Sequence, residues 1–164
     1  MLTVALNSLY LKENTMPETL SNFIQNWRRI HKQTVKLMKV APDDRYDWKT
    51  CESAMTLGAL MNHFRQAEAL LAGAVLHDAL PTERLAPINN TAELIAAFDE
   101  SHEAAIAEIA ALPSDKLQDS ISPFGGPMTR EQLLYALLEH EVHHRGQLYT
   151  YLRILGAEVP PLFA

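Results

Sequence analysis

Apolar residues recur along this chain at intervals of three and four, and four stretches keep that rhythm for about 20 residues each, the signature of amphipathic helices. In the first, Leu20, Ile24, Trp27, Thr34 and Met38 share one face. It opens at Thr15-Met-Pro-Glu18, where Thr15 caps and Glu18 closes a capping box, and it stops before Pro42. The second starts after Thr56 and runs to about His77, with Thr56, Leu60, His63, Ala67, Leu71 and Ala74 on its inward stripe. The third takes Asn90 as its cap with Glu93 three residues on, and ends near Pro113. The fourth opens at Thr129 with Gln132 as its capping-box partner. It ends at Gly156, a natural helix stop, with Pro160 and Pro161 just beyond. The connections, 41–55, 78–88 and 114–128, hold the prolines and the turn-forming Phe124-Gly125-Gly126-Pro127. Alternating β-branched runs are nearly absent. The pattern predicts an all-α four-helix bundle in a single domain spanning 1–164, with residues 1–15 as an N-terminal arm.

The length of 164 residues is enough to bury a core. The net charge of −6, with no basic run, argues against a nucleic-acid partner. The one cysteine, Cys51, cannot form an internal disulfide, which suits a reducing compartment. The apolar start MLTVALNSLYL is too short to span a bilayer and lacks the basic opening of a secretory signal. The expectation is therefore a soluble, cytoplasmic protein with no membrane partner.

One stretch changes the picture: His140-Glu-Val-His143-His144-Arg-Gly-Gln147. At 100° per residue, the inward stripe of the fourth helix is Leu133, Leu137, His140, His144, Leu148, Tyr151 and Leu155. His140 and His144 are one turn apart, so they stand one above the other. His143, Glu139 and Arg145 turn away from that face, and Glu141 lies on a flank. On the second helix His63 points into the same core. Three imidazoles thus converge where a bundle usually places leucine. They are either hydrogen-bonded core histidines or ligands of a shared metal, and spacing alone does not choose between the two. A metal has the chemical advantage of satisfying three nitrogens at once, and three protein ligands leave a position open for water or substrate.

The stretch HEVHHRGQLYTYLRILGAEVPPLF, with SAMTLGALMNHFRQAEALL before it, resembles the DinB-like (DinB/YfiT) superfamily of metalloenzymes. The resemblance covers most of the chain, and the last helix is its specific part. It implies a DinB/YfiT-like variant of the four-helix bundle holding one divalent metal ion through one histidine of the second helix and two of the fourth. Carried over, these are His63, His140 and His144, the trio the helical stripes select. Zinc, nickel and iron all suit such a set.

Around that trio, His143, Glu141 and Tyr151 are the candidates to back the ligands or line a pocket. Each also has a plainer reading: a flanking histidine, a solvated flank and a packed core tyrosine. Gly146 suggests a close helix approach, and Arg145 an exposed ion pair or a functional contact. His31 falls near the inward side of the first helix, while His77 and His102 lie toward flanks without a role. The resemblance further implies a metal-dependent enzyme acting on a small-molecule substrate, either a thiol-dependent S-transferase using a low-molecular-weight thiol cosubstrate or a hydrolase. The alternatives are a non-catalytic metal-binding or small-molecule-binding stress-response protein, and a bundle whose histidines are purely structural. A homodimer is expected from the family. The small-residue run AEALLAGAV and the apolar arm offer only indirect support for it, since either serves a subunit interface or simply covers the bundle.

Overall fold

The computed structural model describes residues 18–162. The Thr15–Glu18 capping box and the N-terminal arm lie outside the described residues. Four long helices dominate: α1 (Glu18–Met38), α2 (Leu57–His77), α3 (Thr91–Ala110) and α4 (Arg130–Ile154). Short 3₁₀ turns at Asp43–Arg45 and Ser114–Gln118 punctuate the connections. Three of the helices begin where side-chain chemistry supplies the acceptors that a helix start lacks. Thr56 accepts from the Ala59 amide and Asn90 from the Glu93 amide. Thr129 and Gln132 form a reciprocal capping box. No described helix is long and apolar enough to cross a membrane.

Each helix packs mainly against two others, in the ring order α1–α4–α2–α3. Two hydrophobic half-cores fix the helix directions. One joins Leu20 to Ile30 of α1 with Leu71 to Val75 of α2, Ile106 and Ile109 of α3 and Leu133 to Leu138 of α4. The other joins Val35 to Met38, Leu57 to Phe64, Leu94 to Phe98 and Leu148 to Leu152. The N-terminal halves of α1 and α4 therefore lie with the C-terminal halves of α2 and α3. Thus α1 runs parallel to α4, and α2 parallel to α3. A parallel pair cannot be joined by a tight turn, so the chain after α2 must travel back along the bundle. Residues 78–90 do this, stitched to α2 on the way. Asn62 donates to the Ile88 carbonyl and accepts from its amide, and Gln66 accepts from the Leu85 amide.

Two features depart from the sequence expectation. Residues Ser120–Ile121 (β1) and Met128–Thr129 (β2) form a short antiparallel ladder ahead of α4, turning at Gly125, whose φ of +84° favours glycine. The small-residue stretch of α2 is spent inside the chain: a Cβ on Gly73 would stand 2.7 Å from Pro81 of the returning segment. That glycine serves the α2–α3 connection.

Between the half-cores lies a polar layer: His31, Thr34, Glu68, His102, Glu141 and Arg145 are all buried. The histidine cluster sits at this level, on the α2–α4 edge.

Candidate metal centre

His63 of α2 meets both histidines of α4. Its Nε2 lies 3.3 Å from Nε2 of His140 and 3.1 Å from Nε2 of His144. All three ligand atoms lie within 4.8 Å of one another. The three rings are half-buried. Burial, then the neighbouring His144 and His63, pushes His140 down to about 4. Burial followed by His144 lowers His63 as well. Both imidazoles are thus neutral at neutral pH and keep a lone pair.

The contacts are poorly explained by hydrogen bonds alone. Nδ1 of His144 lies 2.7 Å from Oε1 of Gln147, to which it donates. A neutral His144 therefore has no proton on Nε2. A single N–H on His63 could serve only one of its two short contacts, whereas an ion serves all three nitrogens. Nitrogens bound at about 2.0–2.1 Å to one ion stand roughly 2.8–3.0 Å apart in octahedral and roughly 3.3–3.4 Å apart in tetrahedral geometry, and the observed 3.3 and 3.1 Å lie within the span of the two. The residues present fit a divalent ion with a side left open.

Gln147 is a contact that sequence reasoning left vague, although its place three residues after His144 was visible. Its Nε2 faces Nε2 of the exposed His143 at 3.2 Å. His143 stands outside the cluster and reaches it only through this glutamine. Gln147→Ala is expected to weaken metal binding about 10–100-fold with little change in folding, the usual effect of removing a group that orients a ligating imidazole. Competitive titration with a chromophoric chelator checks this, and an unchanged affinity would leave Gln147 a surface residue.

Tyr151 is 9 % exposed, and its hydroxyl donates to the Met55 carbonyl at 3.1 Å, so it is a packed tyrosine with an occupied proton. Glu141 is not on a solvated flank: it is 5 % exposed and faces α1, where Oε1 lies 2.6 Å from the Thr34 hydroxyl. Arg145 is likewise buried and donates to Gln33 of α1 rather than forming an exposed ion pair. The common cause is that α4 packs on both α2 and α1. Its buried arc is wider than one stripe, and His140 and His144 mark the α2 edge of it.

Gly146 is also corrected. It is exposed, and none of the described residues stands within 4 Å of the position a Cβ would take. With no close approach to preserve, Gly146→Ala should stabilise the helix by about 0.5–1 kcal/mol in chemical denaturation. A loss of stability would show that another group needs that space.

His102, expected on a flank, is 1 % exposed. Its Nδ1 lies 2.8 Å from Glu68, and its ring stacks on His31 at 3.8 Å and 9°. Burial pushes His31 and His102 down to about 4 and raises Glu68 well above the carboxylate range, so the Glu68–His102 pair shares one proton. These three side chains also lie within reach of one another. They make a poor ligand set, however: stacked imidazoles send their in-plane lone pairs along parallel lines, which do not meet at one ion.

Beside His63 opens a hollow of about 220 Å³, walled by α2 and the stitched segment and lined by Asn62, Arg65, Gln66, Arg84 and Pro87 among others. No motif marks it in the chain, because its walls join only through the fold.

Comparison with known proteins places this geometry in context. The sequence model of the DinB family matches residues 16–163. Uncharacterized protein YrdA of Bacillus subtilis (strain 168) is 29% identical over 153 residues, covering 90% of each chain. Uncharacterized protein YjoA of the same organism is 25% identical over 154 residues, covering 89% of this chain and 94% of that one. A crystal structure of a DinB-like protein from Bacillus cereus ATCC 10987 superposes with a TM-score of 0.74 at 24% identity, over 86% of this chain and 95% of that one, a likeness of fold.

Proposed function

The chain belongs to the DinB family, and from that premise we propose that it is a metal-dependent enzyme in which His63, His140 and His144 hold one divalent ion. The observation that carries this reading is the pair of short Nε2 contacts made by His63, which one ion satisfies and hydrogen bonding does not. A divalent ion there lowers the pKa of a thiol or water and so supplies a nucleophile at neutral pH.

The protein's own residues do the rest. Gln147 holds His144 in the tautomer that presents Nε2. The hollow beside His63 admits a small molecule. A substrate seated in the hollow is thereby oriented with its reacting end toward the three histidines, and proximity supplies part of the rate enhancement. The reaction class this supports is attack of a low-molecular-weight thiol on a small electrophile, an S-transfer, with hydrolysis as the variant in which water takes the thiol's place. The thiol reading comes first because no described side chain within the histidine cluster offers a carboxylate to take a proton from water: Glu141 faces α1. A thiol that enters as thiolate needs none.

The test is a turnover assay of metal-loaded protein with an electrophilic aromatic substrate, with and without added thiol. Thiol-dependent product formation that disappears in the His144→Ala variant is the expected result. Stoichiometric metal without turnover of either kind would favour the non-catalytic reading instead.

A further inference from the structure

The hollow beside His63 carries charge that this acidic chain does not balance. Every other described arginine has a partner: Arg28, Arg45 and Arg130 pair with Glu103, Asp44 and Asp119, Arg29 and Arg145 donate to the side-chain amides of Asn26 and Gln33, and Arg153 lies over the Tyr149 ring. Arg65 and Arg84 both line the hollow, and neither forms an ion pair among the described residues. Nε of Arg65 is buried and has no hydrogen-bond partner there. The described residues lining the hollow include no carboxylate. In a chain of net charge −6, two unpaired guanidiniums on one small cavity are out of keeping with the rest of the surface.

The backbone that carries each arginine is held in place. Arg65 rides on α2, two residues from His63. Arg84 precedes Leu85, whose amide is fixed by Gln66, and the segment is fastened again at Ile88 by Asn62. A guanidinium presents planar N–H donors that match the two oxygens of a carboxylate. We propose that Arg65 and Arg84 bind the carboxylate of the small molecule whose reacting end reaches His63, His140 and His144, so that the substrate or thiol cosubstrate is an organic acid. This rests on the reading of the three histidines as a metal centre. Both guanidiniums line the hollow, which opens beside His63 itself, so one ligand spans both.

Cobalt-loaded protein titrated with thiols and followed by visible absorption tests the idea without turnover. The probes are 3-mercaptopropionate and 6-mercaptohexanoate, which cover two reaches, against neutral 2-mercaptoethanol. In the wild type at least one acid should bind about tenfold tighter than the neutral thiol, as expected of a charge-assisted contact. In Arg65→Gln/Arg84→Gln that preference should fall to about unity, with cobalt content unchanged. Equal binding of acid and neutral thiols by the wild type, or an undiminished preference in the double variant, would overturn the proposal. If no cobalt binds, the metal reading fails separately. The arginine site then stands or falls by calorimetry of succinate with the metal-free protein: binding lost in the double variant supports it, and absence of binding removes it.

Discussion

Replacing His144 with alanine is expected to remove the bound metal: wild type purified without an affinity tag should carry about one divalent ion per chain, and the variant close to none. His144 makes the shorter contact to His63, and it is the ligand whose other nitrogen is held by a partner. Its loss deletes a ligand and the tautomer control together. The fold should survive, because the ring is half-buried and alanine is the best helix former. Far-ultraviolet circular dichroism confirms that. His143→Ala is the matched control: it removes an exposed neighbouring imidazole and should keep the metal. Full retention of metal in His144→Ala would disprove the ligand assignment, and loss of metal in His143→Ala would show that the wrong member of the pair had been chosen.

The second large effect concerns Glu141. Burial first, and the neighbouring Glu68 with it, pushes its carboxyl up to about 8 against the opposing Thr34 contact. The geometry agrees. Thr34 Oγ1 lies 2.6 Å from Glu141 and 3.2 Å from the Ile30 carbonyl, and a hydroxyl has only one proton. Both contacts are satisfied when protonated Glu141 donates to Thr34, which donates to Ile30. A folded pKa raised above the unfolded value contributes stability that is fully present below about 4.5. That stability is lost as pH rises through about 8. Glutamine copies the protonated acid and does not titrate. Metal-free Glu141→Gln should therefore match the wild type near pH 4.5 and outstrip it increasingly toward pH 8, by on the order of 1 kcal/mol per pH unit across that window. Denaturant unfolding at several pH values measures the gap. A difference that does not change with pH would mean that Glu141 is ionised in the fold.

The helices were legible in the chain because their determinants are local. Thr56, Asn90 and the Thr129–Gln132 box are short-range hydrogen bonds written in consecutive residues. The convergence of His63, His140 and His144 was legible for a related reason: each sits in phase with an apolar stripe, and phase survives folding. Glu141 and Arg145 were misread because their partners lie far away. Thr34 is 107 positions from Glu141, and Gln33 is 112 from Arg145. Polarity argues for solvent until a second helix supplies the matching group. His102 failed in the same way, its burial depending on Glu68 and on the His31 ring. Nor does amphipathicity carry direction: an inward stripe reads the same whether α2 and α3 run parallel or opposed. The length and prolines of 78–90 were the available clue to the parallel arrangement.

The returning segment has a consequence for how such a protein can change over time. The three histidines stand on helices whose positions are set by the half-cores, and altering them costs packing as well as chemistry. The outer wall of the hollow is different. It is irregular chain, fastened to α2 by Asn62 and Gln66, and between those stitches its side chains are largely exposed. Surface segments of this kind tolerate substitution and insertion at small cost. New ligand preferences can therefore arise by rewriting residues 84–87 while the histidine cluster stays intact, so that one scaffold can be retargeted without being refolded.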